Sequence, residues 1–140
     1  MDVFVLDANI VSFYMNGNAI VGDNISRATA CGASVIIAPI AYYEVKRGLI
    51  AANAPTKLRY FHRLCGLLPV GKLDNDILDA AAEIYADLRK RGLAIGDADI
   101  LIAAFCRKHK FTLVTNNRKH FASIAGLPVR DWTLFDLEIS

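Results

Sequence analysis

Three short apolar runs, each ending in a polar turn, constrain this chain more than anything else in it. Val3-Phe4-Val5-Leu6 runs into Asp7-Ala8-Asn9, Ser34-Val35-Ile36-Ile37-Ala38 into Pro39, and Phe111-Thr112-Leu113-Val114 into Thr115-Asn116-Asn117. Runs of this length, rich in β-branched residues, read as buried strands. Leu127-Pro128-Val129-Arg130 reads as a weaker fourth. The stretches between them carry helical period. The clearest is Asp76 to Arg91, with Ile77, Ala80, Ala81, Ile84 and Leu88 on one face and Gly92 placed to end it. Asp97 to His109 predicts a second helix, whose Ile100-Leu101-Ile102-Ala103-Ala104-Phe105 stretch is apolar on all sides and therefore central. Ile40 to Ala52 and Thr56 to Leu67 predict an antiparallel helix pair broken at Asn53-Ala54-Pro55. Strands separated by helices imply an α/β domain with a short, mainly parallel β-sheet flanked by helices, whose ligands bind at the carboxyl ends of the strands.

Composition narrows the class. With 140 residues, 54% of them hydrophobic, the chain has the material for one domain over residues 1–140 with a real core. Only 21% is charged, in mixed sign, so disorder is not expected. The first apolar run lies between Asp2 and Asp7 and is too short for a signal peptide or a membrane span, which predicts a cytoplasmic protein with no membrane partner. Cys31, Cys65 and Cys106 form no metal-binding spacing and are expected to be small core residues in a reducing compartment. Sixteen Lys and Arg against fourteen Asp and Glu leave a net charge of +2, too small to imply nucleic-acid binding.

The chemistry lies in the acids. Asp7 follows four apolar residues, where a carboxylate must meet solvent or a positive partner, and a metal ion is one such partner. Asp97 and Asp99 follow Gly96 at the start of the apolar helix, where exposed N–H groups and the helix dipole favour negative charge; Asp97 is placed as an N-cap. Two carboxylates at the buried end of such a helix repel unless a cation sits between them. Glu44 comes in the first turns of the helix after the second run, near the same sheet edge. Thr115 and Asn117 offer a hydroxyl and an amide beyond the third run, as a turn with a cap or as groups that position a substrate. Oxygen donors without Cys or His at metal spacing favour Mg2+, with Mn2+ as a substitute. Lys46, Arg47, Arg107, Lys108, Lys110, Arg118 and Lys119 are candidate contacts to a nucleic-acid backbone.

Four segments together, Val5-Leu6-Asp7-Ala8-Asn9-Ile10, Glu44-Val45-Lys46-Arg47-Gly48-Leu49, Ile95-Gly96-Asp97-Ala98-Asp99-Ile100-Leu101-Ile102-Ala103-Ala104 and Val114-Thr115-Asn116-Asn117, resemble the PIN-domain toxins called VapC. The resemblance covers nearly the whole chain. It implies a PIN fold, magnesium-dependent endonucleolytic cleavage of RNA, and the toxin role in a type II toxin–antitoxin pair. By position it makes Asp7 and Asp99 the principal metal-binding acids, Glu44 the third acid and Asp97 an accessory one. It also implies a homodimer, a cognate antitoxin whose tail covers the acidic site, and operator DNA reached only through that antitoxin. One departure is that Asn117 stands where many PIN nucleases carry a fourth Asp, which weakens the hold on a second cation and leaves Asp97 to take up part of that charge.

Two other readings stay open. An Asp after the first strand also serves aspartyl-phosphate phosphatases, but Asp7-Ala8-Asn9 lacks their second acid and no clear Lys ends a later strand. A PIN fold that binds RNA or protein without cutting is the other, and the clustered like charge argues against it. His120 reads as a surface histidine in preference to a general base, and Trp132 as core or interface packing. Tyr42, Tyr43, Leu49, Ile50, Tyr60 and Phe61 on the helix pair offer apolar surface for a partner or simply core packing.

Overall fold

The computed structural model describes residues 2–139. Four strands form one parallel sheet in the order β2-β1-β3-β4. They are β1 (Val3–Leu6), β2 (Ser34–Ile37), β3 (Thr112–Val114) and β4 (Val129–Arg130), so all four apolar runs are strands, with the later ones shorter than expected. Phe4 pairs with Val35 on one side and Thr112 on the other. The chain thus winds from β1 to one edge and returns past β1 to build the other, opening a crevice at the carboxyl ends of β1 and β3.

Seven helices flank the sheet among the described residues. Two lie between β1 and β2 where the sequence reading named none: α1 (Ala8–Met15) and α2 (Ala19–Ala30). The expected pair is α3 (Pro39–Ala51) and α4 (Pro55–Leu67), broken at Asn53, whose φ of 50° turns the chain. Tyr42 in the first turn of α3 meets Phe61 in the middle of α4, with ring centroids 5.5 Å apart, so the chain folds back on itself. After α4, Ile37 donates to the Pro69 carbonyl and Gly71 donates back to Ile37, extending the sheet by one bridge at Val70.

Helix α5 (Asn75–Lys90) is capped by the Asp74 carboxylate, which accepts from the Ile77 N–H at 3.0 Å. Gly92, at φ +71°, closes it as the apolar period predicted, with Leu93 bonding back to Leu88. Helix α6 (Asp97–His109) buries Ile100 and every residue from Ile102 to Cys106, which confirms it as the central helix. The short α7 (Arg118–Phe121) follows β3.

The expectation of three core cysteines is corrected. Cys106 is buried and Cys65 partly so, but Cys31 caps the exposed end of α2 and lies at the surface. Trp132 is completely buried, against Phe4 at 4.8 Å between centroids. No helix among the described residues is long and apolar enough to cross a membrane.

Candidate active site

Asp7 sits at the carboxyl end of the central strand and is held there from three sides. Its N–H donates to the Val114 carbonyl at 3.1 Å, tying it to the end of β3. Its carboxylate accepts from the Ile10 N–H at 3.1 Å as the N-cap of α1, and from the Thr115 side chain. Thr115 is fully buried, and its Oγ1 also accepts from the Asn117 N–H at 3.1 Å. The hydroxyl therefore braces Asp7 and closes the turn after β3.

Burial, first, and then the charges of Asp99 and Glu44 push the Asp7 carboxyl up to about 6, against the opposing hydrogen bonds from Thr115 and Ile10. Burial also raises Glu44, opposed by Arg47, whose guanidinium lies 3.8 Å away, and assisted by Asp99. Three of the four predicted acids, Asp7, Glu44 and Asp99, thus feel one another, delivered by the end of β1, the second turn of α3 and the first turn of α6. Among the described residues no ion pair joins Asp7 to a basic side chain. Behind it lies Cys106, whose thiol burial and the Asp7 charge hold up in the protonated form.

Asp97 is placed differently. Gly96 occupies the N-cap position of α6 without a side-chain cap, so Asp97 is the first helical residue and not the predicted cap. Two positions from Asp99, it faces nearly the opposite side of the helix. It lines a shallow groove with Ala81, Tyr85 and Ile100. Asn117 is exposed and makes no side-chain cap to α7; its neighbour Asn116 accepts from Asn9 at 3.4 Å. Arg107, Lys108 and Lys110 lie at the far end of α6 from Asp99, at least about 12 Å along the axis. Arg107 there donates to the Ala125 carbonyl. Lys46, Arg47, Arg118 and Lys119 remain on the elements that build the site.

His120, its side chain still one-third exposed, reaches the site. Its Nδ1 lies 2.9 Å from Asp99 Oδ2, yet has no hydrogen-bond partner, because an N–H there is out of line with the carboxylate oxygen. Nothing local signals this contact, since it joins α7 to the first turn of α6 across the crevice.

The donor set fits a hard divalent cation. Asp7 is a half-buried carboxylate without a cationic partner, facing two more carboxyls. Among the described residues no three Asp, Glu, His or Cys side chains close into a cage by themselves. Magnesium is suited by that arrangement, because it takes one or two carboxylates and keeps several waters.

A family model for the PIN domain matches residues 4–127. The tRNA(fMet)-specific endonuclease VapC of Shigella flexneri is 29% identical over 135 residues, covering 93% of this chain and 98% of the relative. Ribonuclease VapC1 of Methanocaldococcus jannaschii is 32% identical over 97 residues, 68% of this chain and 69% of the relative. The DNA-bound VapBC structure from Salmonella typhimurium superposes with a TM-score of 0.86 at 25% identity, over 94% of this chain and 99% of that one. With its fold, its converging acids and these matches, the chain belongs to the PIN-domain family, among the VapC ribonucleases.

Proposed function

We propose that this ribonuclease cuts RNA endonucleolytically at the crevice between β1 and β3, with Mg2+ held by Asp7 and Asp99 and Mn2+ able to replace it. The observation that carries the reading is Asp7 itself, a carboxyl raised to about 6 by burial and by two neighbouring acids, a cost that a bound cation removes. A cation held there would neutralise charge on the phosphate oxygens and lower the pKa of an attacking water.

The chain's own residues supply the rest. The α1 cap and Thr115 fix the Asp7 carboxylate before anything binds, so no ordering is left to be done at the moment of reaction. Glu44 orders the attacking water, while Asp97, turned to the other side of α6, stands apart from the metal. Asn117 positions the substrate with Thr115 behind it, while Lys46, Arg47, Arg118 and Lys119 meet the phosphate backbone. In-line attack leaves 5′-phosphate and 3′-hydroxyl ends.

The chain acts in the cytoplasm as the toxin of a type II toxin–antitoxin pair, as a homodimer that reaches operator DNA only through its antitoxin. The DNA-bound VapBC neighbour supports the antitoxin and DNA parts of that assembly. Tyr43 and Ile50, each 58% exposed on α3, and Leu67 at the end of α4 give the helix pair an apolar surface for the antitoxin.

The test is cleavage of a folded RNA with Mg2+ present and with excess EDTA, for the wild type and Asp99→Asn. Cleavage is expected to stop in EDTA and to fall by at least about 100-fold in the variant, more than the loss of a residue behind the ligands costs. Undiminished cleavage in both would overturn the reading.

A further inference from the structure

His120 and Asp99 make an unusual pair. The imidazole Nδ1 is buried and approaches the carboxylate to 2.9 Å, but not along a hydrogen-bond direction. A bare nitrogen lone pair at that distance repels the oxygen, and an N–H out of line gains little from it. Two donors that share one cation, by contrast, belong this far apart: adjacent ligands of an octahedral ion at about 2.1 Å are about 3 Å from each other. The same chain lacks a fourth acid, with Asn117 exposed where a carboxylate would stand, and α7 carries His120 three residues further on.

We propose that His120, through Nδ1, is a nitrogen ligand to the divalent cation at Asp99, and that it turns the site toward a first-row transition ion over magnesium. An imidazole adds affinity for ions of that series, whereas magnesium takes oxygen. The other two histidines are placed apart from this pair. His109 ends α6 and stacks on Phe111 at 5.1 Å, and His62 is exposed on α4. The inference rests on the metal site proposed above, and its test separates the two.

Manganese serves as the probe because it is paramagnetic. Pulsed electron paramagnetic resonance of the Mn2+-loaded protein is expected to show imidazole 14N coupling, which changes to the 15N pattern when histidine alone is labelled. His120→Phe keeps a ring of similar shape beside Phe121 and removes both nitrogens. It is expected to abolish the coupling and weaken Mn2+ by about 10-fold or more, with Mg2+ binding changed less than about 3-fold, because the lost nitrogen serves the transition ion and not magnesium. Bound Mn2+ without nitrogen coupling in the wild type overturns the inference and leaves the metal site standing, with Nδ1 then serving Asp99 as an ion-pair partner. Coupling that survives in His120→Phe overturns it equally. Failure of Mn2+ to bind at all, together with RNA left uncut, removes the functional reading and the inference with it.

Discussion

At the scale of single residues, the site is a place where charge is held against its preference. Asp7 keeps its N-cap role, accepting from Ile10, while its neighbours and its burial raise the carboxyl from 3.8 to about 6. A carboxyl whose folded pKa lies above its unfolded one contributes stability that is complete below about 4 and is lost as the pH rises through about 6. The metal-free protein is therefore expected to lose stability across that window, by up to about 3 kcal/mol from Asp7, less what solvent at the open face screens. Asp7→Asn removes the charge and keeps a good cap. Thermal unfolding in EDTA from pH 4 to pH 8 is expected to show the variant more stable than the wild type at pH 7, with the gain vanishing toward pH 4. A variant no more stable at pH 7 would mean that Asp7 is not under strain. The acids were legible because their residue types stand beside apolar runs, where charge needs a reason. Thr115 acting on Asp7 and His120 acting on Asp99 were not, because both act across elements and depend on angles that no local pattern encodes.

Among the elements, the sheet strands and the helices from α3 onward were readable from period alone, and α1 and α2 were not. The buried face of α2 consists of Val21, Ile25 and Ala28 with the polar Asn24 among them, and its sequence includes Gly22, Ser26 and Thr29, all poor helix formers. Packing therefore decides that helix where propensity does not. Packing also decides the segment after α4. Gly71 passes so close to α6 that a Cβ there would lie 2.5 Å from the ring of Phe105, which is itself buried. Gly71→Ala is expected to destabilise the protein by about 1–3 kcal/mol through overpacking, and Phe105→Leu to recover part of that loss in the double variant. Urea unfolding of the two single variants and the double checks both halves of the expectation. Additive losses would show that the clash is relieved by backbone movement of the segment and not by the ring.

For the molecule as a whole, strain at the crevice is offset by a strap at the other end of the chain. The family match stops at residue 127, yet the residues beyond it carry β4 and the buried Trp132. They return to α2: Asn24 donates to the Trp132 and Leu134 carbonyls and accepts from the Asp136 N–H, bonds that span more than a hundred residues. Arg27 donates to the Asp136 carbonyl and lies 4.0 Å from the Phe135 ring centroid. At the centre is the Asp136 carboxylate. Burial pushes it up, but bonds from Trp132 Nε1 at 2.9 Å, the Glu138 N–H and Arg130 at 2.7 Å outweigh burial and hold it below its ordinary value. A depressed carboxyl contributes stability above its unfolded pKa and loses it as the pH falls through the folded one. Asp136→Ala is therefore expected to cost about 2 kcal/mol or more at pH 7, because it strands the Trp132 N–H as well as losing a charge-assisted bond. The difference from wild type should shrink in acid below about pH 4 as the wild-type carboxylate protonates, a stabilising contribution lost in acid where that of Asp7 is lost toward neutral pH. Hydrogen exchange then distinguishes a local strap from a global one. Faster exchange confined to β4 and α2 in the variant would mark an independent latch, whereas faster exchange that reaches β1, through Trp132 on Phe4, would show that the strap secures the strand presenting Asp7.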